Sequence, residues 1–224
     1  MIKSALSAET IEDRLIVTPL LEPDTQIGPS SVDLRLGTEI VEMDRYNRSA
    51  SDPRAEDPLT PVQRRVVVPL GQRIALHPGQ FLLASTLEFV RLPAFLVGQV
   101  HGRSSWGRLG VQVATAAAVQ AGYAGMITLQ LTNVATVPVH LYPGMRLAQL
   151  FLWWANEPAP TPYESGRAKY RYPLGPQESQ IPAERGELAK FEELGRRLGS
   201  AQRRNVGAPD KEPDGLLDEQ GAPL

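Results

Sequence analysis

The chain has 224 residues, 42% of them hydrophobic and 21% charged, with a formal net charge of −2. That suffices for one cored domain with an appendage, and it supplies no overall positive field to attract nucleic acid. Cysteine is absent, which excludes disulfides, thiolate nucleophiles and the His/Cys/Cys or Cys₃ zinc site of the zinc-dependent base deaminases.

No stretch approaches the roughly 20 apolar residues that cross a bilayer. Met1-Ile2-Lys3-Ser4 carries no apolar signal region, so a cytoplasmic protein without membrane contact is expected. Ser7 caps a predicted short helix in which Leu6, Ile11 and Leu15 share an apolar face, and Pro19 ends it. Val32 to Leu36 alternates apolar and polar residues, the pattern of a half-buried strand, with Gly37 closing it. Residues 44–65 are polar and hold three prolines, which predicts a surface loop.

From Val66 to Trp154 short apolar runs follow one another, as in Gln80-Phe81-Leu82-Leu83-Ala84, Leu96-Val97-Gly98-Gln99-Val100 and Met126-Ile127-Thr128-Leu129-Gln130-Leu131. Turn formers such as Pro78-Gly79, Pro93, Gly102 and Pro143-Gly144 separate them. Many short strands without intervening helices predict a mainly β sandwich, jelly roll or barrel. Pro158 to Pro182 reads as irregular. Leu188, Phe191, Leu194 and Leu198 recur at helical spacing among charges, which predicts an amphipathic helical extension over 181–204. Residues 205–224 read as a disordered tail, leaving 1–180 as the main domain.

The stretch richest in chemistry is Gly102-Arg103-Ser104-Ser105-Trp106-Gly107-Arg108-Leu109-Gly110. Glycines let a backbone approach an anion, hydroxyls donate hydrogen bonds, and guanidinium groups grip phosphate oxygens in pairs. The alternative is a polar turn with solvated arginines.

The order of residues in that stretch resembles the signature of the dCTP deaminases, in the dUTPase and dCTP deaminase superfamily. Four further segments match in the same order. They are Pro29 to Gly37, His77 to Phe81 with Thr86-Leu87-Glu88, Leu141 to Leu150, and Ala168-Lys169-Tyr170. The resemblance implies a distorted β-barrel or jelly-roll subunit, a homotrimer with sites between subunits, and Mg²⁺ carried on a triphosphate rather than zinc. It also implies a pyrimidine deoxynucleoside triphosphate (dCTP, dUTP or dTTP) as ligand, and dCTP plus water giving dUTP plus ammonia as the reaction. Carried over position by position, Arg103, Ser104 and Ser105 would hold phosphates, while Ser104 and Arg108 would also place the attacking water and the base. Gln149 would reach a phosphate oxygen, Tyr163 and Lys169 would clamp from the tail, and the deoxyribose would stack on the turn at Gly122 and Tyr123.

Two positions depart from that pattern. The family's deaminating glutamate falls at Gln130, and the aspartate near the sugar falls at Gln120. A carboxylate accepts a proton near neutral pH and an amide does not. A catalytically silent sensor, regulatory or assembly subunit is therefore the alternative reading. Other groups read as structural. Asp33 is expected to partner Arg35 or a backbone turn, and Trp153 and Trp154 to pack in the core or a subunit interface. Arg196, Arg197, Arg203 and Arg204 read as a solvated helix face without direct nucleic-acid contact. His101 is the alternative base, and His77, His101 and His140 lack metal-ligand spacing.

Overall fold

Short apolar runs become strands when their side chains can face one shared interior, and here they do. The computed structural model describes residues 14–43, 63–114, 118–161, 163, 168–181 and 185–206. Among the described residues the strands are β1 (Ile16–Thr18), β2 (Ser31–Met43), β3 (Gln63–Val67), β4 (Ile74–Leu76), β5 (Phe81–Arg91), β6 (Leu96–Gly102), β7 (Val111–Val113), β8 (Ala124–Asn133), β9 (Val139–Leu141) and β10 (Arg146–Trp154). The helices are α1 (Pro23–Gln26), α2 (Ser104–Gly107) and α3 (Arg185–Val206).

Eight strands form one sheet in the order β6–β10–β2–β5–β8–β7, with β1 added to β5 and β3 to β2, while β4 and β9 make a separate ribbon. The two ends of the path meet: a Cβ on Gly102 of β6 would stand 3.1 Å from Cγ2 of Val113 of β7. The sheet thus curls into a nearly closed, mainly β barrel. Leu34, Leu36, Ile40, Leu82, Leu129, Leu131 and Leu150 fill it and are at most 1% exposed. Each such side chain contributes about 1.5–3 kcal/mol of burial.

Strand β2 departs from the predicted half-buried strand. It runs through Gly37 to Met43, and residues 31–37 are all buried, Asp33 and Arg35 included. A Cβ at Gly37 would lie 2.8 Å from Ser85 Oγ and 2.9 Å from the Ser85 carbonyl, so glycine is what lets β5 close on β2 where their register shifts. The two charged residues survive burial because they are paired, as buried charges must be.

Two boundaries also differ. Residues 63–65, expected in a loop, belong to β3, whose pairing with β2 satisfies their backbone. Leu15, expected on a helix face, lies just ahead of β1 and is buried in the core; the rest of that predicted helix falls outside the described residues. The segment 168–179 is irregular as expected yet anchored. The Met126 amide donates to the Pro173 carbonyl at 2.7 Å, and the Gln177 amide donates to Thr128 Oγ1 at 3.0 Å.

Of the described residues, 180, 181 and 185–206 belong to a second unit. Its helix α3 continues through 205 and 206, which were expected to open a disordered tail; the remainder of that tail lies outside the described residues. Phe191, Leu194 and Leu198 stand exposed on it.

Gly110 ends the turn that follows α2, with φ of +86°, and a Cβ there would come 2.8 Å from the Ala135 amide nitrogen. Gly107, three residues earlier, has open space around it. Gly110→Ala is therefore expected to cost about 1–3 kcal/mol and lower the thermal midpoint, while Gly107→Ala stays within about 0.5 kcal/mol of the unmodified protein. Equal effects of the two substitutions would contradict this assignment of strain.

Candidate functional site

The glycine-, serine- and arginine-rich stretch leaves β6 as a tight turn around α2. Its backbone is fastened at the start of β10: the Arg103 amide donates to the Leu147 carbonyl at 3.0 Å, and the buried Trp106 indole donates from Nε1 to the Arg146 carbonyl at 2.8 Å. Ser104, Ser105 and Arg108 are exposed, and Arg108 Nη1 donates to Ser104 Oγ at 3.3 Å. The tryptophan locks the turn inward, so its hydroxyls and the Arg108 guanidinium are left facing solvent.

Beside this turn lies the buried Asp33. Its Oδ2 is 3.4 Å from Arg103 Nε and 3.3 Å from Arg146 Nη1, and its Oδ1 accepts from Gln149 Nε2 at 2.9 Å. Asp33 was expected to partner Arg35 or a backbone turn; instead it binds two other arginines and a glutamine. Arg35 turns to a different set. Its Nε donates to Gln26 Oε1, its Nη1 to the Gly144 carbonyl, and its Nη2 to Glu22 at 2.8 Å.

Glu88 completes this second set from β5, accepting the Arg35 amide at 2.8 Å and Gln26 Nε2 at 3.1 Å. Burial pushes the Glu88 carboxyl above its ordinary range despite those donors. The hydrogen bond and charge of Arg35 hold Glu22 below it.

The expected site residues fall into separate groups. Arg103, Ser104, Ser105, Arg108 and Gln149 come together around α2 and Asp33. Gln130 sits on β8, half-buried, its carbonyl accepting the Ala114 amide at 2.8 Å, and its side-chain amide has no partner among the described residues. Gln120, Gly122 and Tyr123 form a turn docked on Leu92. The neighbouring Val119 bridges to Gly98 of β6, about 13 Å along that strand from Gly102. Within one chain, then, the turn of Gln120, Gly122 and Tyr123 and the arginine turn do not meet.

Tyr123 donates from its hydroxyl to the Met126 carbonyl at 2.7 Å, and burial raises its phenol well above the usual range. Its ring lies 5.7 Å from that of Tyr163. Tyr163 is tied to the same turn through its amide, which donates to the Ala121 carbonyl at 3.0 Å. Lys169 lies exposed in the tail segment. His101, the alternative base, packs edge-on against Phe151. Trp153 and Trp154 are 59% and 48% exposed, so the core option for them is wrong; Trp154 instead stacks on Phe95 at 4.7 Å.

Sequence reasoning missed Arg146. Among the described residues no group of three or more histidines or carboxylates could hold a metal ion, and no helix is long and apolar enough to cross a membrane.

A family model described as dCTP deaminase-like matches residues 2–154. The chain is 45% identical over 173 residues to the dCTP deaminase of Haloarcula marismortui, covering 76% of this chain and 89% of that protein. It is 42% identical over 172 residues to the dUMP-forming dCTP deaminase of Dictyoglomus thermophilum, covering 76% and 88%. The crystal structure of the 2′-deoxycytidine 5′-triphosphate deaminase from Agrobacterium tumefaciens superposes with a TM-score of 0.53 at 25% identity. That match covers 69% of this chain and 47% of that one.

Because Glu88 binds its proton more tightly folded than unfolded, its contribution to stability falls as pH rises from the ordinary 4.5 through the raised folded value. Both its oxygens accept hydrogen bonds, so Glu88→Gln loses one acceptor at every pH. The comparison reads the slope: across that window the variant is expected to gain stability relative to the unmodified protein as pH rises. Parallel stability profiles in thermal unfolding would contradict this.

Proposed function

This chain belongs to the dCTP deaminase-like family, and we propose that it binds a pyrimidine deoxynucleoside triphosphate, phosphate end on the turn of Arg103, Ser104, Ser105 and Arg108. The observation that carries this reading is the turn itself. Arg108 and two hydroxyls face solvent over a buried tryptophan, while Arg103 stays partly exposed beside Asp33 and Gln149 lies alongside on β10. Such donors match phosphate oxygens in charge and geometry.

The family reaction converts dCTP and water to dUTP and ammonia. Water must lose a proton as it attacks carbon four, and the departing nitrogen must gain one. Ser104 and Arg108, already hydrogen-bonded to each other, would orient water and base. Gln130 would hydrogen-bond the ring or the water, but its amide cannot carry the proton. Gln120 is likewise neutral. We therefore read the chain as a nucleotide binder whose deamination runs far below that of an enzyme with a carboxylate at residue 130. In the limit of no turnover it is a deoxynucleotide sensor or assembly subunit.

Support for a shared site comes from the separation of the sugar turn from the arginine turn along β6. A neighbouring subunit would bring the missing half, and a homotrimer is the assembly we propose. Magnesium would ride on the phosphate oxygens, offsetting their charge, since the arginine-rich turn is built for an anion rather than a cation. A reducing cytoplasm suits a chain without cysteine.

Ammonia release from dCTP in the presence of Mg²⁺ tests this. The unmodified protein is expected near background, and Gln130→Glu to raise the rate by about 10²-fold or more. A millimolar concentration of dCTP should meanwhile raise the melting temperature of both. Ammonia release from the unmodified protein as fast as from the variant would overturn the reading of Gln130. No thermal shift with any pyrimidine deoxynucleotide would overturn the binding site.

A further inference from the structure

The geometry points to Arg146 as a further triphosphate-binding residue, paired with Arg103 across Asp33; this rests on the nucleotide reading above. Arg146 of β10 stands opposite Arg35 of β2, Ala148 opposite Leu34, and Gln149 opposite Asp33. One extra residue is thus inserted between Arg146 and Ala148. In a regular strand, side chains three positions apart point to opposite faces. The bulge cancels that alternation, and both Arg146 and Gln149 reach the Asp33 carboxylate. Bulges re-aim side chains in this way, often beside functional sites.

The same bulge is where the arginine turn is fastened, through the Arg103 amide on Leu147 and the Trp106 indole on Arg146. Arg146 and the phosphate turn therefore move as one piece.

Two guanidinium groups share one buried carboxylate at 3.4 and 3.3 Å, longer than a good charge-assisted hydrogen bond. Both remain about 30% exposed. Arg146 uses Nη1 for both its contacts, to Thr25 O at 2.8 Å and to Asp33. Its Nε and Nη2, and both Nη atoms of Arg103, have no partner among the described residues. Like charges held side by side with unused donors are relieved by a polyanion, and a triphosphate is one.

A purely structural role, Arg146 fastening α1 through Thr25, makes a different forecast. The test compares dCTP with dCMP, measuring both affinities by calorimetry for the unmodified chain, Arg146→Gln and Arg146→Lys, with thermal unfolding of each. We expect Arg146→Gln to weaken dCTP binding about 10- to 100-fold and leave dCMP within about twofold. Arg146→Lys, which keeps the charge and can still reach Thr25, should lose several-fold for dCTP alone. Should Arg146→Gln fail to fold, the lysine variant decides by the same split. Unchanged dCTP affinity, or equal losses for dCTP and dCMP, would overturn the assignment. Failure of the unmodified chain to bind dCTP would instead overturn the nucleotide reading and this inference with it.

Discussion

A carboxylate removed from water must be met by cations and donors, and the way Asp33 is met organises this molecule. Its partners come from separate places in the chain: Arg103 from the turn after β6, Arg146 from the bulge opening β10, and Gln149 from β10 itself. Removing one partner of a buried ion typically costs about 3–5 kcal/mol because the remaining charge is stranded. The arrangement is thus held by the price of breaking it, and three donors stay fixed beside an exposed loop of serines and arginines.

Behind this group lies a second one. Glu88, Gln26 and Glu22 surround Arg35 and link α1, β2 and β5 to the Gly144 turn that precedes the bulge. The barrel core beneath is leucine-rich and supplies rigidity, while the polar layer supplies direction. In the function proposed above, what it directs is an anion grip. The chemistry expected at the ring end is weaker, since the residues aligned with proton-transferring acids are Gln120 and Gln130. The residues proposed for anion binding and those aligned with proton transfer lie on different elements, so in that proposal one function can persist while the other fades.

Much of this was legible in the sequence. The Gly102 to Gly110 stretch announced itself because glycine, serine and arginine carry their chemistry locally, and the strand runs of β5, β6, β8 and β10 stood out by composition. The polar residues of β2 misled, because alternation assigns Asp33 and Arg35 to solvent, whereas charges from distant segments permit their burial. Gly37 read as a terminator, but a close strand approach needs glycine just as a turn does. Arg146 lay within the matched Leu141 to Leu150 segment but received no role of its own, because a bulge changes which face a residue points to and leaves no local signature. The exposed Trp153 and Trp154 likewise could not be placed, since aromatic residues at a strand end look alike whether covered or bare.

The most direct test is a crystal structure of the chain grown with dCTP and Mg²⁺. The account expects the phosphates against Arg103, Ser104, Ser105 and Arg108, with the side-chain amide of Gln130 facing carbon four of an unreacted cytosine. Phosphates bound away from the Asp33 cluster, or a carboxylate from elsewhere in the assembly poised at carbon four, would contradict it.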